Sequence, residues 1–203
     1  VPALRSFIIS LRASKNATLM EWDKIWAFNK AVVDPTAARY TVLLAEGLVP
    51  LRLAGAPATP FFKPVPRHPK EAIGNKMRLY APTVLLQADD AAAIADGEEV
   101  TLMTWGNAIA EKRAAAGSAI DGRLHLEGSV KATKKKLTWL ADTPDLVDIE
   151  LIDLDHLLTK DSLEEDDDVD DILTPVTRYV FRAKGEPALR KVQHGEIIQV
   201  ERR

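Results

Sequence analysis

The 203-residue chain contains no cysteine. Disulfides, thiolate zinc sites and cysteine nucleophiles are therefore excluded together, and the composition suits a reducing compartment without requiring one. Long apolar runs are missing too: no window approaches the roughly 18 uninterrupted apolar residues of a membrane-spanning helix, so no membrane partner is expected. The opening Val1-Pro2-Ala3-Leu4 has no initiator methionine, basic leader or small-residue cleavage site. It reads as a chain entered in mid-protein and not as a signal peptide. Catalytic signatures are also lacking, with no Gly-rich phosphate loop, no G-x-S-x-G and no H-E-x-x-H. The histidines His68, His125, His156 and His194 are scattered, and no metal-ligand set is read from them.

What is present is ordinary in bulk: 46% apolar and 28% charged residues, enough for one large or two small cores. The net charge of −3 hides a segregation, with +7 on residues 1–80, −1 on 81–140, −13 on 141–175 and +4 on 176–203. Attraction to a polyanion depends on the local field, so a basic face can coexist with an acidic total. Any one run alone reads as a solvated face; convergence of the basic runs would point to nucleic acid. Asp166-x-Asp168-x-Asp170 imitates the start of a calcium loop, but Asp171 stands where glycine is needed and Thr177 where a bidentate glutamate is needed. Seven acids among residues 164–171 repel one another, which predicts a mobile, solvated loop.

Periodicity predicts two helices before residue 36. Pro2 opens the first, with Leu4, Phe7, Ile8 and Leu11 at helical spacing; the second runs from about Thr18 to Val33 and stops at Asp34-Pro35. Trp22, Trp26 and Phe28 give the second helix an aromatic face that is expected to be core. The texture then turns to strands. Arg39–Leu44 and Val49–Leu53 flank Gly47 as a hairpin or bent pair, and Pro57, Pro60, Pro64, Pro66 and Pro69 mark a rigid extended connection. Thr83–Gln87 is a strand, Ala88–Ile94 a short helix stopped by Gly97, and Glu99–Trp105 with Ala108–Arg113 straddle a turn at Gly106-Asn107. Further strands are expected at Arg123–Glu127, Lys136–Leu140, Val147–Leu154, Val176–Phe181 and Ile197–Val200, with Trp105 and Trp139 in the core. Many short strands at close intervals favour β-barrels over a βαβ sheet.

The string Met20-Glu21-Trp22-Asp23-Lys24-Ile25-Trp26-Ala27-Phe28-Asn29-Lys30, followed by Asp34-Pro35, resembles the segment of eukaryotic and archaeal glutamyl-tRNA synthetases that joins the catalytic half to the anticodon-binding domain. Pro66-x-His68-Pro69-Lys70 with Gly74-x-Lys76 is similar to the start of that family's first barrel. Gly97–Met103 followed by Trp105-Gly106-Asn107-Ala108, then Leu126-Glu127-Gly128 and Thr133–Ala141, are similar to its barrel strands, and Gly195–Arg202 to its last ones. The matches run in order through essentially the whole chain.

This resemblance implies a mainly β fold: an N-terminal helical subdomain over residues 1–36, then two antiparallel β-barrels over 37–203 with the chain crossing between them. It implies the anticodon-binding part of a cytoplasmic glutamate–tRNA ligase, whose partners are tRNA-Glu, with an anticodon ending in U-C, and the parent's catalytic domain; no DNA is expected. The family's H-I-G-H-like and K-M-S-K-S-like signatures are absent. ATP and magnesium would thus belong to the parent's catalytic domain, and this part alone should be inactive without a cofactor of its own. The family continues past Arg202 with a Gly-aromatic strand, so an incomplete last barrel edge is expected. Two alternatives stand beside this reading: the same module of a glutaminyl enzyme, and a protein-interaction domain using the acidic loop.

An anticodon reader needs cations that hold phosphates and groups that meet splayed-out bases. The candidates for RNA binding are Lys63, Arg67, Lys70, Lys76 and Arg78 around the Pro-rich passage, then Lys131, Lys134, Lys135 and Lys136, and finally Arg178, Arg182 and Lys184. His68 either stacks on a base or braces the Pro-rich turn. The acidic loop is expected to point away from this face.

Overall fold

The computed structural model describes residues 1–12, 22–113, 119–160 and 164–201. Two helices open the chain. Helix α1 (Pro2–Ser10) carries Pro2 in its first turn, where a missing N–H costs nothing. Helix α2 (Trp22–Val33) has Asp23 in its first turn and Lys30 in its last, matching the helix dipole. The expected start at Thr18 lies outside the described residues. The helices meet through Phe7 and Phe28, edge to face at 5.8 Å. The rest of the aromatic face is not core as expected: Trp22 and Trp26 are 66% and 60% exposed. Their rings lie 6.4 Å apart, and α2 has no fully buried residue, because among the described residues no third layer covers this side.

The strands form three sheets. The largest has seven, in the order β10-β5-β2-β8-β7-β6-β9. In chain order these are β2 (Leu48–Ala54), β5 (Thr83–Gln87), β6 (Glu99–Leu102), β7 (Gly106–Arg113), β8 (Ile120–His125), β9 (Lys136–Leu137) and β10 (Leu140–Ala141). Its two edges, β9 and β10, are separated in the chain only by Thr138 and Trp139. The path from Leu137 to Leu140 is at most about 11 Å, so the sheet must curl until its edges nearly meet. Trp139 sits at this seam, fully buried. It packs 5.3 Å from Tyr80 and 5.0 Å from Trp105, while Phe61 stacks on Tyr80 at 5.2 Å. The core role expected of both tryptophans is what the packing gives them.

A second curled sheet has the order β11-β12-β1-β13, from β1 (Ala38–Leu44), β11 (Val147–Leu154), β12 (Arg178–Gly185) and β13 (Ile198–Glu201). The chain starts in this sheet, leaves it for the seven-stranded one after β1 and returns at β11. Mostly antiparallel pairing is interrupted by the parallel pairs β1–β13, β2–β8 and β6–β9. The expected hairpin about Gly47 is instead a crossover, since β1 and β2 belong to different sheets. Gln87 holds it from both sides: its side chain accepts from the Leu44 N–H at 2.9 Å and donates to the Glu46 carbonyl at 2.9 Å. Helix α3 (Ala88–Ala93) follows β5 directly.

Three further expectations are corrected. The Pro-rich passage is not only a connection, because β3 (Phe61–Pro66) pairs with β4 (Asn75–Tyr80) in a two-stranded ribbon. Pro64 and Pro66 donate no hydrogen bond, which suits a strand paired on one side only. The barrel turn falls at residues 103–105 and not at Gly106-Asn107. Thr104 adopts φ +66°, while the carbonyls of Met103 and Thr104 accept from Trp139 Nε1 at 2.9 Å and from the Tyr80 hydroxyl at 3.0 Å. Lastly, the acidic run is partly structured. Asp167 pairs with Lys160 at 2.5 Å, Asp168 caps the short helix α4 (Val169–Ile172), and Ile172 is buried. Local caps and one lysine offset part of the repulsion.

Candidate nucleic-acid interface

The ribbon's inner residues are committed to the fold. His68 is buried, and its Nδ1 accepts the backbone N–H groups of Lys70 at 3.1 Å and Glu71 at 2.9 Å. Its Nε2 lies 3.3 Å from Arg39 Nη2 and 3.9 Å from Asp34 Oδ2. Arg39 bridges the same carboxylate at 2.5 Å, joining the end of α2, strand β1 and the ribbon's turn. His68 therefore braces the turn.

Lys76 and Arg78, expected at the RNA face, are also buried. The Lys76 ammonium donates to Glu186 Oε1 at 2.5 Å and to the Arg39 carbonyl at 2.7 Å. Arg78 lies 4.3 Å above the Trp139 ring and donates to the Trp139 carbonyl at 2.9 Å. In the ribbon, cations facing inward brace and those facing outward remain available. Lys76 and Arg78 share the buried side of β4, whose first four residues read exposed, buried, exposed, buried.

The outward cations are Lys63 and Lys70, both exposed, with Arg67 half-buried beside them. In the 130s, Lys131 and Lys134 are exposed. Lys135 pairs with Glu98 at 2.5 Å, and Lys136 donates to the carbonyl and hydroxyl of Thr133. This stretch leads into Trp139, on which Arg78 stacks, so the ribbon and the 130s flank one aromatic cluster. The C-terminal candidates differ. Lys184 pairs with Asp148 at 2.5 Å, Arg178 approaches Glu150 at 3.8 Å, and Arg182 is registered opposite Glu150. Carboxylates on β11 thus offset much of the charge on β12.

Between the ribbon and a 3₁₀ turn at Pro187–Lys191 lies a cleft that sequence reasoning missed. Its outer part is lined by Phe62, Met77, Pro187, Ala188, Arg190 and Lys191. Its inner part reaches Tyr40, Arg67, Asn75 and Lys76. The Lys76–Glu186 ion pair fastens the turn to β4, and Glu186 also accepts the Thr41 N–H at 2.8 Å. The available signal was Arg190-Lys191 beside Pro187, but nothing local places that pair against Phe62, more than a hundred residues away.

Beside the 130s, a polar network orders the barrel hairpin. Asn107 is fully buried; it accepts from Thr101 at 2.8 Å and donates to Glu99 at 2.9 Å, while His125 Nδ1 lies 2.7 Å from the same Glu99 oxygen. Glu99 is held below the usual carboxylate range, first by the Asn107 amide and then by His125. Glu98 is lowered too, first by the Ala95 N–H and then by Lys135. Gly128 has no room for a side chain, since a Cβ there would lie 2.1 Å from Glu99 Oε1 and 2.7 Å from Asn107 Nδ2. Among the described residues no cluster of three or more histidines or carboxylates could hold a metal ion, and no helix is long and apolar enough to cross a membrane.

Two curled, half-barrel sheets between which the chain crosses are the architecture of anticodon-binding β-barrel domains, and the chain belongs to the family described as tRNA synthetases class I (E and Q), anti-codon binding domain. Residues 37–127 match the first of two regions so described and residues 136–203 the second. All of the chain aligns, at 44% identity, with "Glutamate--tRNA ligase, cytoplasmic" of Arabidopsis thaliana, of which it covers 29%. The same identity and coverage hold for the protein of that name from Saccharomyces cerevisiae. With "Bifunctional glutamate/proline--tRNA ligase" of Cricetulus griseus the whole chain is 37% identical and covers 14%. The chain thus spans about three tenths or less of these relatives' lengths.

Proposed function

We propose that this chain reads the anticodon stem-loop of tRNA-Glu for a cytoplasmic glutamate–tRNA ligase. The observation that carries the reading is 44% identity across the full chain with proteins named as such ligases. In this reading residues 1–36 are the connecting stalk and residues 37–203 the anticodon-binding region. Lys63, Arg67 and Lys70, together with Lys131, Lys134 and the 130s lysines beside them, hold phosphates and set the RNA's register. The exposed Trp22 and Trp26 face the parent's catalytic part, which would use ATP and magnesium to activate glutamate; this part alone carries no such chemistry.

Titrating the chain with tRNA-Glu and tRNA-Gln transcripts at two salt concentrations tests the proposal. Tighter binding of tRNA-Glu is expected, with a log–log salt slope of about 0.7–0.9 per phosphate contacted. Equal binding of both, or binding insensitive to salt, would refute it.

A further inference from the structure

An anticodon reader must meet bases as well as phosphates. The cleft between the ribbon and the 3₁₀ turn offers what a base needs. Phe62 and Met77 are 51% and 43% exposed although they are large and apolar. They lie on one face of the ribbon, since Phe62 and Pro64 alternate in register with Leu79 and Met77, and Pro187 stands across from them. The volume between is about 420 Å³, and it adjoins, across Met77, Ala188 and Lys191, a depression of about 100 Å³ bordered by Asn75 and Arg67.

The charge around this cleft is one-sided. Arg67, Lys76, Arg190 and Lys191 line it, and no carboxylate does. Lys76 is neutralised by Glu186. Arg190 and Lys191 are exposed and have no ion-pair partner among the described residues. The Arg67 Nε is buried without an acceptor, a condition that calls for a partner. An apolar slot rimmed by unpaired cations suits neither a basic peptide nor a purely aliphatic ligand. It suits a nucleotide, whose flat base is apolar on its faces and whose phosphates are anionic.

We propose that this cleft seats one unstacked base of the RNA loop, with Phe62 and Met77 beneath the base, Asn75 at its polar edge, and Arg190 and Lys191 on the flanking phosphates. The inference rests on the anticodon-reading function proposed above and adds residues to it: Phe62, Met77, Asn75, Arg190 and Lys191.

The test uses the whole chain and an RNA hairpin carrying the anticodon loop of tRNA-Glu, with versions in which each loop nucleotide in turn is abasic. Phe62→Ala should weaken binding of the intact hairpin about tenfold, the scale of one base–aromatic stack, with an unchanged salt slope. Phe62→Tyr should retain wild-type affinity. For one abasic hairpin the wild type and Phe62→Ala should bind alike, because the base that used the ring is gone. Arg190→Ala combined with Lys191→Ala should instead flatten the salt dependence. Phe62 is half exposed, so its truncation should leave the melting temperature nearly unchanged. If Phe62→Ala binds the intact hairpin as the wild type does, or its deficit persists with every abasic version, the seat is refuted while the anticodon reading stands. If the wild type shows no salt-dependent binding at all, the reading itself falls and the seat with it.

Discussion

Replacing Lys76 with methionine removes the charge partner of Glu186, which is only 2% exposed. The ammonium has two acceptors, Glu186 Oε1 at 2.5 Å and the Arg39 carbonyl at 2.7 Å, and methionine satisfies neither. An uncompensated buried carboxylate typically costs about 3–5 kcal/mol. In a chain of this size 1 kcal/mol shifts the midpoint by about 2–4 °C, so a fall of roughly 6–20 °C is expected. Replacing both partners with methionine should recover only part of the loss. The Thr41 N–H, which donates to Glu186 at 2.8 Å, would then be left without an acceptor, at about 1–3 kcal/mol. Thermal unfolding followed by circular dichroism, beside RNA titration at low salt, separates structure from recognition. A stability change below about 1 kcal/mol with a clear loss of RNA affinity would refute the reasoning, because Lys76 would then serve the ligand and not the join between ribbon and 3₁₀ turn.

Gly128→Ala should destabilise by about 1–3 kcal/mol, read as a lowered urea midpoint, because the new methyl would overlap the Glu99 carboxylate and the Asn107 amide. Glu98, Glu99, Asp148 and Asp167 all have lowered folded-state pKa values. Their contribution is therefore present above the ordinary carboxylate range and is lost as pH falls through the depressed values, so the melting temperature should drop only on acidification below about pH 4. Lys135→Ala should recover part of Glu98's depression in a carbon-13 carboxyl titration, with the Ala95 N–H holding the rest. Changing Lys134, Lys135 and Lys136 together to alanine should weaken tRNA binding at low salt and flatten its salt slope, with little change in melting temperature.

The sequence revealed most where a signal is local. Val147–Leu154 alternates apolar and acidic residues and is a strand over those same residues, and Pro2, Asp34-Pro35 and Gly97 mark element ends near where the structure puts them. It misled where a distant partner decides. Gly47 reads as a hairpin turn, yet Gln87 makes it a crossover; a turn at Gly106-Asn107 looks natural, yet Trp139 and Tyr80 bind the carbonyls that move it earlier. The candidate site divides in the same way. Basic residues are visible in the chain, but whether each is exposed depends on strand parity and on buried acids such as Glu186. Phe62 and Lys191 become neighbours of one cleft only after the ribbon docks on the 3₁₀ turn.

The most direct test of anticodon reading is the affinity of the chain, at low salt, for a tRNA-Glu transcript against the same transcript with only its anticodon triplet replaced. Weaker binding of the replaced triplet, with an unchanged salt slope, is the predicted result. Equal affinity for the two would contradict the account, leaving a basic protein that holds tRNA without reading it.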